Sequence, residues 1–131
     1  MHVTRAVDYG LRALLLMARR PVGEHHLLQD LAHQTGLSRN YLVKVLKSLA
    51  AAGIVRSHRG IKGGFSLTRD PAQISVRQVM EAIEGPLVVV PCLAAAPSSD
   101  SKCAKSGRCA PQVVFAQLGD RVLENLDARS L

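Results

Sequence analysis

Along the first fifty residues, apolar side chains return every three or four positions, the period of a helix that buries one face. Val7, Leu11, Leu14, Leu15 and Ala18 form the first stripe, and Thr4 is placed to cap it, so a helix is expected to run to about Arg20. "RPVGEH" breaks the pattern. It resumes over roughly residues 26–35, burying Leu28, Leu31 and Ala32, and stops at "TGLS". Ser38 is a good N-cap for a third helix ending before Gly53, with Leu42, Val45, Leu46 and Leu49 on its inner face. Two helices joined by a short glycine-containing turn make a helix-turn-helix, with Ala32 small where the helices touch, Gly36 in the turn and Leu42 as apolar anchor.

The period then changes from helical to alternating. Residues 54–58 and 65–69 read as two strands around the basic, glycine-rich turn Arg59-Gly60-Ile61-Lys62-Gly63-Gly64, a hairpin wing directly after the helix-turn-helix. "ISVRQVMEAIEG" restarts the helical period with a capping box (Ser75, Gln78), a hydrophobic staple (Ile74, Val79) and a terminating Gly85. A last helix is expected over about residues 111–126, with Phe115, Leu118, Val122 and Leu126 on one stripe. The fold class expected is mainly α with a small β-hairpin wing: a winged helix-turn-helix over residues 1–85, a cysteine-bearing loop over 86–110, and a terminal helix over 111–131. The chain before residue 90 is long enough to close its own core. The terminal stripe is therefore free to pair with a second copy, although packing back on its own domain is the alternative.

Charge sharpens this division. The net charge is +7, and residues 1–70 carry eleven Lys/Arg against four Asp/Glu, whereas residues 71–131 carry six of each. All five histidines precede residue 59. A basic half suits a polyanion, and a neutral half suits pairing or sensing. The outer face of the third helix offers Arg39, Asn40, Val43, Lys44 and Lys47. Asn and Arg pair with purine edges, Val meets a thymine methyl, and lysines neutralise phosphates. Arg59 and Lys62 on the wing suit a minor groove or phosphates. The strand-loop-helix order of a nucleotide-phosphate loop is missing. No stretch has the length and apolarity of a membrane span, and the charged N-terminus does not read as a signal peptide, so a cytoplasmic protein with reduced thiols is expected.

Every cysteine falls in "PCLAAAPSSDSKCAKSGRCAP": Cys92, Cys103 and Cys109. Three thiolates with Lys102, Lys105 and Arg108 around them, the last just before a helix N-terminus, form a setting that stabilises an anionic iron–sulfur cluster. Other readings stand beside it: buried cysteines acting as small apolar residues, a zinc site borrowing a histidine, and a metal-free thiol switch. No nucleophile–base pair or catalytic carboxylate pair is evident, which argues against an enzyme. An iron–sulfur electron carrier remains a distinct functional class.

"DYGLRAL", "GLSRNYLVKVLKSLAAAGIV", "RGIKGGFSL" and three cysteines before a final helix together resemble the Rrf-type family of bacterial winged-helix regulators. "DYGLRAL" and "SRN" followed by "VK" look closer to its nitric-oxide-responsive NsrR branch than to its IscR branch. The resemblance implies a homodimeric transcription factor, a repressor on a palindromic double-stranded operator, whose three cysteines hold a 4Fe-4S or 2Fe-2S cluster sensing nitric oxide, redox state or iron status. It further implies Asp8 of the partner subunit as fourth ligand. The histidine that IscR-like members carry after the last cysteine is absent from "CAPQVVFAQ". Ten residues separate Cys92 from Cys103 and five separate Cys103 from Cys109, so the first gap is longer than the family pattern.

Overall fold

The computed structural model describes residues 2–93 and 109–131. Helix α1 spans Arg5–Met17, and the Thr4 side chain accepts from the Val7 N–H at 3.4 Å, as a cap should. It stops short of Arg20. The Arg19 and Arg20 N–H groups reach back only three residues, to Leu16 and Met17, and Pro21 disfavours helix in the residue before it. The inner face also differs from the expected stripe. Val7, Gly10, Ala13, Leu14 and Met17 are buried, whereas Leu15 points outward at 50% exposure.

Strand β1 is only His26–Leu27, followed at once by α2, Leu28–Thr35. The second helix therefore starts two residues later than its hydrophobic period implied. His26 and Leu27 are instead extended and pair antiparallel with Phe65 and Gly64. Gly36 ends α2 with φ +70°, the left-handed conformation that glycine adopts without a Cβ penalty. Helix α3, Arg39–Ala51, begins at Ser38, whose hydroxyl accepts from the Tyr41 N–H at 3.3 Å.

Strands β2 (Val55–His58) and β3 (Gly64–Leu67) form the hairpin, and β3 lies in the middle of an antiparallel sheet of order β1-β3-β2. Helix α4, Val76–Glu84, carries the complete capping box between Ser75 and Gln78 and ends at Gly85. Leu14, Leu31, Leu42, Leu46, Leu49, Ile74 and Val79 are essentially fully buried among the four helices and the sheet. Leu→Ala changes at such sites cost about 2–5 kcal/mol.

Helix α5, Ala110–Asp127, has no fully buried residue. Its C-terminal end is tied down: Asp127 accepts from Arg77 at 2.8 Å, and the chain end pairs with residues 74–76 through Val76 N–H to Arg129 O and Leu131 N–H to Ile74 O. Its N-terminal half presents Val113, Val114, Phe115 and Leu118 to solvent, while Val122 and Leu126 are half-buried. Among the described residues no helix is long and apolar enough to cross a membrane.

Candidate nucleic-acid interface and cysteine site

The third helix keeps its inner face in the core through Leu42, Val45, Leu46 and Leu49, which forces the intervening positions outward. Arg39, Asn40, Lys44 and Lys47 are exposed and Val43 is half-buried among them. Arg59 and Lys62 are likewise exposed at the wing. Of these seven residues, none of the five cations forms an ion pair with a described residue. By contrast, Arg12, Arg20 and Arg77 are each held by a carboxylate at about 3 Å. These five cations on α3 and the wing leave their charge available to an external anion.

Two neighbours leave little trace in the sequence pattern. Tyr41, 39% exposed on the same helix, meets Tyr9 of α1 edge-to-face at 5.3 Å and so braces the outer face of α3 against α1. The paired histidines of "EHH" form the second. His25 meets the His58 ring edge-to-face at 4.8 Å, and His58 Nε2 is 2.8 Å from the Ser66 hydroxyl. His26 is buried. Adjacent histidines at the start of a helical pattern were the available signal.

Burial pushes the His26 pKa below its ordinary value; Arg20 and His25 push the same way and Glu24 opposes them. A ring that folding keeps neutral adds stability above its unfolded pKa of about 6.5 and loses it as pH falls through the lower folded value. Urea unfolding is therefore expected to show a falling midpoint as pH drops below about 6.5, with a smaller fall in His26→Gln. Equal falls in both proteins would remove His26 from the cause.

Of the proposed cluster ligands, Cys92 and Cys109 are free, half-buried thiols. Cys92 sits in a short 3-10 turn, Pro91–Leu93, that packs against α5, and Cys109 is the N-cap of α5. No side chain caps that helix, so the positive end of α5 and its first-turn N–H groups lie beside Cys109 without a side-chain partner. Thiolate donors beside a positive helix end fit the chemistry of an iron–sulfur group. Cys103, with Lys102, Lys105 and Arg108, lies outside the described residues. Asp8 is in the first turn of α1, where its carboxylate accepts from Arg12 at 3.0 Å. Within one copy, no three His, Cys, Asp or Glu side chains among the described residues converge as a metal-holding group.

Comparison with known proteins extends over the whole chain. Residues 3–131 match the family described as Rrf2, iron-dependent transcriptional regulator. An rrf2-like HTH-type transcriptional regulator of Rhodobacter capsulatus is 31% identical, covering 98% of this chain and 89% of that protein. Among solved structures, CymR, the global cysteine regulator of B. subtilis, superposes with a TM-score of 0.77 at 25% identity, over 99% of this chain and 92% of that one. IscR of T. potens superposes with a TM-score of 0.70 at 27% identity, over 99% and 82% respectively. These relatives are regulators rather than enzymes. The chain belongs to the Rrf2 family of DNA-binding, winged-helix transcriptional regulators.

Proposed function

We propose that the protein is a homodimeric transcriptional repressor that binds a palindromic operator and whose DNA affinity is set by an iron–sulfur cluster at its cysteines, in response to nitric oxide, redox state or iron status. The observation that carries the DNA part is the group of cations on α3 and the wing that form no ion pair with a described residue. In this reading Arg39, Asn40 and Val43 meet base edges in the major groove, Lys44 and Lys47 meet phosphates, and Arg59 and Lys62 reach the neighbouring backbone or minor groove. A second copy docks through residues 111–131, where Val113, Val114, Phe115 and Leu118 form an apolar strip that a lone chain leaves in water. Kinship to the nitric-oxide-responsive NsrR branch is part of the proposal and rests on "DYGLRAL" and "SRN" followed by "VK".

The sensing part rests on the thiols and on the iron-dependent description of the family. Cys92, Cys103 and Cys109 would hold the cluster, with Asp8 of the partner subunit supplying the fourth ligand. Bound there, the cluster would supply an iron with one weaker, exchangeable ligand. The chain's own residues carry the consequence. Cys92 lies in the turn that packs on α5, and Cys109 is the N-cap of α5, so ligation of the two would fix that turn and the start of the helix. Through Asp127–Arg77 and the Ser75–Ser130 bridge, the far end of α5 is coupled to the start of α4, which packs on α1 and α3. Release of the cysteine end would therefore alter how two α3 helices are spaced across a dimer. A metal-free thiol switch is the second reading, favoured by two free thiols on elements that touch.

Arg59→Ala is expected to weaken duplex binding and to lower the salt slope, d log K/d log [salt], by about 0.9, because one phosphate fewer is neutralised, with fold and dimer unchanged. Anisotropy titration at several salt concentrations measures this. An unaltered affinity and slope would take the wing out of the interface.

A further inference from the structure

Beneath the wing lies a hollow of about 370 Å³, lined by Arg20, His25, His26, Asp30, Gln34 and Lys62. Three segments build it: the turn after α1, strand β1 with the first turns of α2, and the wing tip. Two observations mark it as a ligand site rather than a packing gap. First, His26 is 8% exposed and lines the hollow, and beside it the buried Nε2 of His25, which also lines the hollow, has no hydrogen-bond partner among the described residues. Second, Leu27 precedes α2 and offers no side-chain cap, so the helix's first N–H groups are also unclaimed by a side chain.

The charge inventory identifies the ligand class. Arg20 is bonded to Glu24 at 3.0 Å, and Lys62 and Asp30 share the hollow with opposite signs. The four formal charges balance, which leaves the histidines to decide the potential. His25 and His26 line the hollow, and His58 stands behind His25. A proton on the His26 ring makes the hollow cationic beside Lys62, one of the residues assigned to the DNA interface. We infer that this hollow seats one phosphate of the DNA backbone, held by Lys62, the first turn of α2 and the His26 ring, and that seating it takes up a proton. The inference rests on the DNA-binding reading and adds to it a site off the recognition helix that makes duplex affinity depend on pH. Depression of the His26 pKa by burial agrees with this, because an anion in the hollow offsets that depression and proton uptake accompanies binding.

The test uses the full chain and two ligands, a 20-base-pair duplex and inorganic phosphate alone, with histidine-ring NMR and fluorescence anisotropy at constant ionic strength. The duplex is expected to shift the His26 ring resonances and raise its pKa, and duplex affinity should rise roughly fivefold between about pH 8 and about pH 6. His26→Gln should flatten that rise. Asp30→Asn, an exposed change that leaves the core untouched, should tighten duplex binding about fourfold by removing the one carboxylate that lines the hollow. Duplex binding with an unmoved His26 ring, and no gain in Asp30→Asn, would overturn the inference while leaving DNA binding intact. Phosphate shifting the ring where the duplex does not would overturn the DNA source in favour of a free oxyanion. A duplex that does not bind at all would count against the proposed function itself, and would be visible in the anisotropy before any ring is examined.

Discussion

Gly64→Ala is expected to destabilise the protein by roughly 3 kcal/mol, the upper end of what overpacking usually costs. A Cβ at Gly64 would lie 1.9 Å from the His26 carbonyl oxygen, 2.8 Å from its carbon and 3.1 Å from the Leu27 Cα. All three are backbone atoms, so no side-chain rotation relieves the clash. Strand β1 must move away from β3, breaking the His26–Phe65 and Leu27–Gly64 pairing that closes the sheet. The conformational gain of alanine over glycine, about 0.4–1 kcal/mol, does not offset this. Against a domain stability of about 5–15 kcal/mol the loss is large, and thermal unfolding should shift down by about 8 °C or more. A melting temperature within about 2 °C of wild type would show that β1 is not held as closely as described. Because β1 also carries His26, the variant should lose the pH dependence of DNA binding along with its stability.

The second large effect concerns the cysteines. Under anaerobic purification the protein is expected to be coloured, with iron and acid-labile sulfide in stoichiometric amounts, and Cys103→Ala to be colourless and iron-free. Loss of one of three thiolates removes a donor that no described residue within one copy replaces. Cys109→Ala should have the same effect, since its thiol sits at the positive end of α5. Asp8→Ala should be milder, leaving a cluster that is lost faster. The Asp8–Arg12 pair is exposed, and its removal costs the fold little, so a change in iron retention would report ligation rather than unfolding. A Cys103→Ala protein that keeps full iron would refute the ligand set. A wild-type protein that stays colourless after reconstitution, but whose DNA affinity responds to oxidant, would establish the thiol switch instead.

How much of the fold and site is legible in the chain follows from the kind of signal each feature leaves. Helices with long apolar periods and side-chain caps are readable: Thr4, Ser38 and the Ser75–Gln78 box cap the helices they were expected to cap. The wing is readable because alternation flanks a glycine-rich turn. Strand β1 is not, since two residues have no period, and apolar Leu27 and Leu28 continue the helical pattern across the boundary. The expected end of α1 lies too far along because Ala18 keeps the stripe while Pro21 ends the helix. On α5 a single apolar stripe conceals two environments: Phe115 and Leu118 are exposed, whereas Val122 and Leu126 are half-buried near the anchored C-terminal end. Periodicity measures amphipathicity and not which partner a face meets. The hollow under the wing depends on Arg20, His26 and Lys62 coming together from three segments, and no spacing along the chain encodes that.

Whether the basic N-terminal half grips duplex DNA through phosphates as well as bases is decided by one titration: the affinity of the anaerobically purified full chain for a duplex as salt is raised. Nonspecific binding is expected at roughly 10⁻⁴–10⁻⁶ M near physiological salt, with log K falling linearly with log [salt] at a slope of about −0.9 for each phosphate neutralised. No binding at low salt, or an affinity that does not change with salt, would refute DNA recognition by this half of the chain.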